Sequence, residues 1–156
     1  MFNTIYLVGQ ISPNKTITYE WRQYVRNQFN GKDNFEVIDP CKNNFNDNLV
    51  DENIDLRDIY KKDGINVLPH KDRTYVKKAD IIIADLCQYD KDKPILGSLF
   101  ELAWCFDNPE KTVIGIYDEF DKRNVLFNHA FISQTVSCWV STATDACALV
   151  KYYFDI

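Results

Sequence analysis

The stretch PILGSLFELAW, Pro94 to Trp104, carries one acidic side chain, Glu101, in an otherwise apolar or small sequence that follows the polar run QYDKDK. Ser98 and Glu101 are spaced S-x-x-E, which has two readings. In a capping box the serine hydroxyl accepts from the third helical N–H and the glutamate reaches back to the cap N–H. Alternatively the carboxylate is a reactive group: in the first turn it would sit at the positive end of the helix dipole, which favours the ionised form that a nucleophile needs. Gly97 removes a side chain where a ligand could approach the backbone. Gly97 and Ser98 could also offer N–H groups to a phosphate, so Ser98 is either a cap or a phosphate ligand.

A second acid, Asp72, lies eight residues before Asp80, at the expected start of a helix through RTYVKK. It reads as an N-cap for Tyr75 or Val76, or as a carboxyl group on the loop side that faces a ligand. Asp80 opens an isoleucine-rich strand and reads as structural, whereas Asp85 at its end is open to either role.

These residues need elements to position them. TIYLVG, residues 4–9, is a short apolar, β-branched and aromatic run closed by glycine, which predicts a buried first strand. Trp21, Tyr24, Val25 and Phe29 recur at helical spacing and predict a helix over about 18–29. FEVID (35–39) is a second strand that stops at Pro40. The Asn- and Asp-rich stretch from Cys41 to about Asn53 is expected to be a surface loop, and loops of that length are often functional. LRDIYKK is expected to be a short helix, and DRTYVKKAD another that feeds into DIIIADL, whose Ile81, Ile82 and Ile83 form the strongest central-strand signal. A helix over 97–106, strands over 112–118 and 135–140, and a closing helix over about 144–154 complete the pattern. Alternating strands and helices imply a mostly parallel sheet covered on both faces, with ligands at the carboxyl ends of the strands near the switch in strand order. That edge gathers Gly9, Gln10 and the loops after Asp39, Asp85 and Asp118.

With 156 residues, 46% of them hydrophobic, the chain suits one compact domain with a single core. Its start, MFNTIYLVGQ, has no basic lead, and no run approaches the roughly 20 apolar residues that span a bilayer, so a cytoplasmic protein without membrane contact is expected. Five cysteines, scattered without CxxC pairs, read as reduced thiols without a metal. The net charge of -5 comes with no basic cluster larger than Lys61-Lys62 or Lys77-Lys78, which excludes a nucleic-acid polymer as the expected partner and favours a small ligand.

TIYLVG, FEVIDP, DRTYVKKADIIIADL and LGSLFELAW together resemble the nucleoside 2-deoxyribosyltransferase family and the related nucleoside-monophosphate N-glycosidases. The resemblance runs from Thr4 to about Ala130, and the pairing of Asp72 with the later G-x-x-x-E is its most specific part. It implies one flavodoxin-like, Rossmann-like α/β domain over residues 1–156. The implied reaction cleaves the bond between 2-deoxyribose and base in a deoxyribonucleoside or its monophosphate, and passes the sugar to a free base or to water. Glu101 takes the nucleophile's place, Asp72 that of the acid handling the base, Tyr6 that of the tyrosine beside the nucleophile, and Gly9 that of the glycine closing the first strand. Asn128 in LFNHA takes the place of an asparagine donated to a neighbouring subunit, which implies a homo-oligomer with shared sites. No cofactor or metal is implied. The residue types agree: a carboxylate beside the anomeric carbon both stabilises and traps developing positive charge, and a second acid assists the departing base.

The chain departs from the family where an aspartate commonly precedes the nucleophile by six residues, here Ile95. Asp90 and Asp92 lie close enough in sequence to reach the same space. Ala130 replaces a frequent methionine, and His129 reads as either a loop residue or a substrate contact. Arg73, beside Asp72, does not decide between nucleoside and monophosphate. A nucleotide-binding protein that keeps the fold without turnover, serving as a sensor or sequestering partner, is the alternative, and Ile95 is the feature that favours it.

Overall fold

The computed structural model describes residues 3–12, 14–32, 34–42, 68–89, 94–118 and 126–154. The expected LRDIYKK helix, most of the Asn-rich loop, and Asp90 and Asp92 lie outside them. β1 (Asn3–Gly9) leads to a π-helical turn (Thr16–Glu20) continuous with α1 (Trp21–Phe29), then to β2 (Phe35–Ile38) and a 3₁₀ turn (Pro40–Lys42). α2 (Leu68–Lys78), β3 (Ile81–Asp85), α3 (Leu96–Phe106), β4 (Thr112–Ile116), α4 (Ala130–Thr135), β5 (Cys138–Val140) and α5 (Ala143–Phe154) follow.

All strand pairings are parallel, and the sheet order is β2-β1-β3-β4-β5, the flavodoxin-like arrangement in which the order reverses between β1 and β3. Register aligns Gly9 with Asp85 and Asp85 with Ile116, so the carboxyl ends of the three central strands form one edge. Alternation along β1 divides the core. Ile5 and Leu7 pack with Val25 and Phe29 of α1 and with Ala146, Cys147 and Val150 of α5. Tyr6 and Val8 pack with Val76 of α2 and with Leu102 and Cys105 of α3. β3 is buried along its whole length, as its isoleucine run requires of a strand covered on both faces.

Several boundaries differ from expectation: β2 ends at Ile38 and β4 at Ile116, short of the expected 39 and 118. The apolar run TVSCWV forms a strand only over its last three residues, because α4 occupies 130–135 immediately before it. The first helical segment begins at Thr16, two residues earlier than its apolar spacing suggests, and Thr18 fastens that start to the preceding turn. Ser12 N–H donates to Thr18 Oγ1, which donates to the Ser12 carbonyl, each at 2.8 Å. Among the described residues, no helix is long and apolar enough to cross a membrane.

Candidate active site

Tyr6 points from β1 toward α2 and α3, and its hydroxyl donates to Glu101 Oε1 at 2.6 Å. The ring is fully buried and lies 6.4 Å from that of Tyr75 on α2. This contact and the start of α3 exclude the capping box. α3 starts at Leu96 with Ile95 as its cap residue and no side-chain cap bond, so Ser98 is a buried residue inside the first turn and Glu101 is the sixth helical residue. A side-chain N-cap does occur at Thr142, whose Oγ1 accepts from Asp145 N–H and donates to Asp145 Oδ2.

The earlier helix start also corrects the expected electrostatics. Glu101 lies beyond the first turn, where the helix dipole has largely faded. Burial instead pushes its carboxyl group up to about 8; the Tyr6 hydrogen bond and the Arg22 charge pull against this, and the Asp72 charge adds to it.

Asp72 is likewise not a cap. It is the fifth residue of α2, whose described part opens Leu68-Pro69. Its Oδ1 is buried without a hydrogen-bond partner, and the nearest cation is Lys71 Nζ at 4.0 Å. Burial raises the Asp72 carboxyl to about 6, and Lys71 opposes the shift. The charges of Glu101 and Asp72 both hold the Tyr6 hydroxyl in its protonated form, after burial, which is the largest cause. Tyr6, Glu101 and Asp72 are thus one electrostatic group. Cys41, just after β2, also raises Tyr6, and sequence reasoning had treated Cys41 only as part of a loop.

The rest of the edge was less legible in the sequence. Arg22 is almost fully buried; its Nη2 donates to the Gly9 carbonyl at 2.8 Å, its Nη1 donates to the Thr18 carbonyl, and its Nε lies 3.7 Å from Asp39 Oδ1. Arg26 Nη1 approaches the other Asp39 oxygen at 3.3 Å, and the Arg22 guanidinium lies 4.6 Å from the Trp21 ring centre. Gly9 is needed here because a Cβ at that position would come within 2.9 Å of the Trp21 ring and 3.1 Å of Arg22. An aspartate closing a strand was the available signal that a cation lies near, and Arg22, three and seven residues before Val25 and Phe29, shares the face that its helix buries. Asp85 is also buried. Its Oδ1 accepts from Cys87 N–H at 3.1 Å and its Oδ2 from the Tyr89 hydroxyl at 2.9 Å, while burial raises its carboxyl.

Gln10 follows Gly9 and is buried, with Oε1 unpartnered. Gly97 is exposed, and a Cβ there would meet nothing within 4 Å, so packing does not require glycine at that position. Ile95 belongs to the apolar core around Leu102 and Val113. Asn128 and His129 are exposed at the turn before α4, and Asn128 forms no hydrogen bond with Tyr6, Glu101 or Asp72. Arg73 is exposed as well. Among the described residues, no three His, Cys, Asp or Glu side chains are grouped to hold a metal ion.

No family model matches the chain, and no curated protein matches it by sequence. Among solved structures, its fold is similar to that of a 2-desoxiribosyltransferase from Leishmania mexicana, with a TM-score of 0.50, 21% sequence identity and 75% of this chain covered. The match spans 65% of the length of that chain. At this identity the likeness is one of fold.

Proposed function

We propose that the protein cleaves the N-glycosidic bond of 2-deoxyribonucleosides or their 5'-monophosphates, with Glu101 as nucleophile and Asp72 as the acid–base partner. One observation carries the reading: the Tyr6 hydroxyl holds Glu101 Oε1 at 2.6 Å in a half-buried group whose other member, Asp72, keeps an oxygen without a hydrogen-bond partner. In the first step the Glu101 carboxylate attacks the anomeric carbon, the bond to the base nitrogen breaks, and its electron pair leaves with the base. Protonated Asp72 gives its proton to that base. In the second step a nitrogen of another base, or water, attacks the same carbon and releases Glu101, while the Asp72 carboxylate takes the incoming group's proton. Tyr6 fixes the carboxylate and stabilises its charged form before attack.

Both carboxyl groups hold their protons more tightly than they would in water. With Asp72 at about 6 and Glu101 at about 8, the pair holds one proton between those values. Those values put the shared proton mainly on Glu101; the reactive arrangement is the minor form with that proton on Asp72, and positive charge developing on the sugar favours it by attracting the charge of Glu101. The fold of a protein named as a 2-desoxiribosyltransferase supports the same substrate class. Asn128, exposed on its turn, is available to a neighbouring subunit in a shared-site homo-oligomer.

Incubation with each deoxyribonucleoside and its monophosphate, with and without a second free base, tests the proposal by chromatography of the bases. Release or exchange that disappears in Glu101→Ala supports it. Binding without turnover would favour the sensor reading instead, which Ile95 supports by putting an apolar core residue in a place where a carboxylate would contact substrate.

A further inference from the structure

The cycle above gives Lys71 no part, yet its ammonium is placed against the acid on which that cycle relies. Nζ lies 4.0 Å from Asp72 Oδ1, a buried oxygen that has no hydrogen-bond partner. Neighbours in sequence point about 100° apart on a helix, so this approach needs something to bend the lysine stem back. Tyr75 supplies it: at i+4 from Lys71 it shares a face, and Nζ sits 5.9 Å from its ring centre, within cation–π range. That ring in turn lies 6.4 Å from the Tyr6 ring, whose hydroxyl holds Glu101. With its side chain 31% exposed against 17% for Asp72, the lysine keeps its ammonium in contact with water while the carboxyl loses most of that contact.

We propose that Lys71 is a positioning residue acting through Asp72: its ammonium is the counter-charge to the carboxylate that remains each time Asp72 has given its proton to a departing base. This rests on the glycosidic-cleavage reading above. In that step the O–H bond of Asp72 breaks, its proton joins the base nitrogen that keeps the electron pair of the glycosidic bond, and Lys71 stays protonated throughout. Burial works against such an acid, because a carboxylate formed away from water holds its proton back. A cation at 4.0 Å offsets part of that penalty, and Lys71 is the group that opposes burial in the acidity of Asp72. β1 and α3 pack against α2, and the titratable groups they turn toward Asp72, Tyr6 and Glu101, carry no positive charge. Among the described residues Lys71 is therefore the cation paired with Asp72, and a neutral residue in its place would leave a weaker proton donor.

NMR titration of the Asp72 carboxyl carbon reads this directly, alongside the pH profile of kcat/KM for a cleaved deoxynucleoside. In the wild-type protein the midpoint and the lower limb are expected together near about 6. Lys71→Met should carry both upward by at least about half a unit, a modest shift because the pair is partly exposed to water. Lys71→Arg, which keeps the charge, should leave both near their wild-type positions. A midpoint that stays in place in Lys71→Met, or that moves as far in Lys71→Arg, overturns the assignment. Cleavage with an unmoved Asp72 midpoint removes Lys71's part alone; if no deoxynucleoside is cleaved, the glycosidic reading falls and takes the positioning role with it.

Discussion

On the α1 side of the sheet, Arg22 and Arg26 surround Asp39, and the backbone carbonyls of Gly9 and Thr18 take up Arg22's remaining donors. On the α2 and α3 side, Glu101 and Asp72 form a group whose one internal donor to Glu101 is the Tyr6 hydroxyl. Both clusters are polar groups packed against β1, but the first sets cations beside an anion, whereas the second sets two half-buried acids together with only Lys71 among the described residues, 4.0 Å from Asp72, as an ion-pair partner. A matched cluster fixes β1, the π-helical turn and β2 in one arrangement. An unmatched pair of acids holds a proton that neither would bind in water, so a substrate that develops positive charge there relieves a repulsion already present.

The contrast is broken most severely at Glu101. Glu101→Ala should lower base release by about 10⁴-fold or more, the usual scale for losing a nucleophile, without lowering the thermal midpoint. A comparable loss of stability would mean that the acid cluster is as structural as the arginine one. Across the sheet, Arg22→Met leaves Asp39 short of a buried cation and should lower the unfolding free energy by about 3–5 kcal/mol in urea titration. A change within experimental error would show that water already solvates that pair.

A smaller effect separates the clusters by pH. Glu101 moves from 4.5 to about 8 on folding, so the folded state binds more protons than the unfolded chain across that window, and wild-type stability falls as pH rises through it. Glu101→Gln cannot ionise and escapes this loss, so it should exceed wild type by roughly 2–4 kcal/mol at pH 9 and by much less at pH 4. Equal pH dependence of the two proteins would remove the basis for calling the acid pair unmatched.

The gentlest probe is the pH profile of kcat/KM, expected to be a bell with limbs near about 6 and about 8, since fully protonated and fully ionised pairs both lack one partner. Tyr6→Phe removes the hydrogen bond that pulls Glu101 down. The upper limb should then move to higher pH, with a loss of roughly ten-fold in rate.

How far the sequence revealed this arrangement depended on what each signal measures. Ile81 to Ile83 and TIYLVG identified central strands because a strand buried on both faces has to be apolar throughout, and the alternation of elements led to the parallel sheet. Glu101 and Asp72 were visible as candidates, but their helices start earlier than local capping preferences indicate. At α3 the start is decided by tertiary packing, since Ile95 enters the core. At α2 the overlooked signal was Pro69, a residue suited to the first turn of a helix, which should have moved the start ahead of Asp72. α4 escaped because AFISQT has no apolar stripe, and Phe131 is largely exposed. Helical spacing puts Arg22 on the face of Val25 and Phe29, but the partner that allows a cation to be buried there, Asp39, comes from β2 and is not legible within α1.

The helix that carries Glu101 also buries Ser98, Leu102 and Cys105. One rotation and one depth of that helix therefore serve both the packing of the core and the aim of the carboxylate. A cavity at Leu102, which is fully buried, would cost about 2–5 kcal/mol of stability, and if the proposed reaction holds, a displacement of Glu101 by about 1 Å would add a loss of about 100-fold in rate. Under that reaction, the packing of the interior around α3 would set rate and stability together.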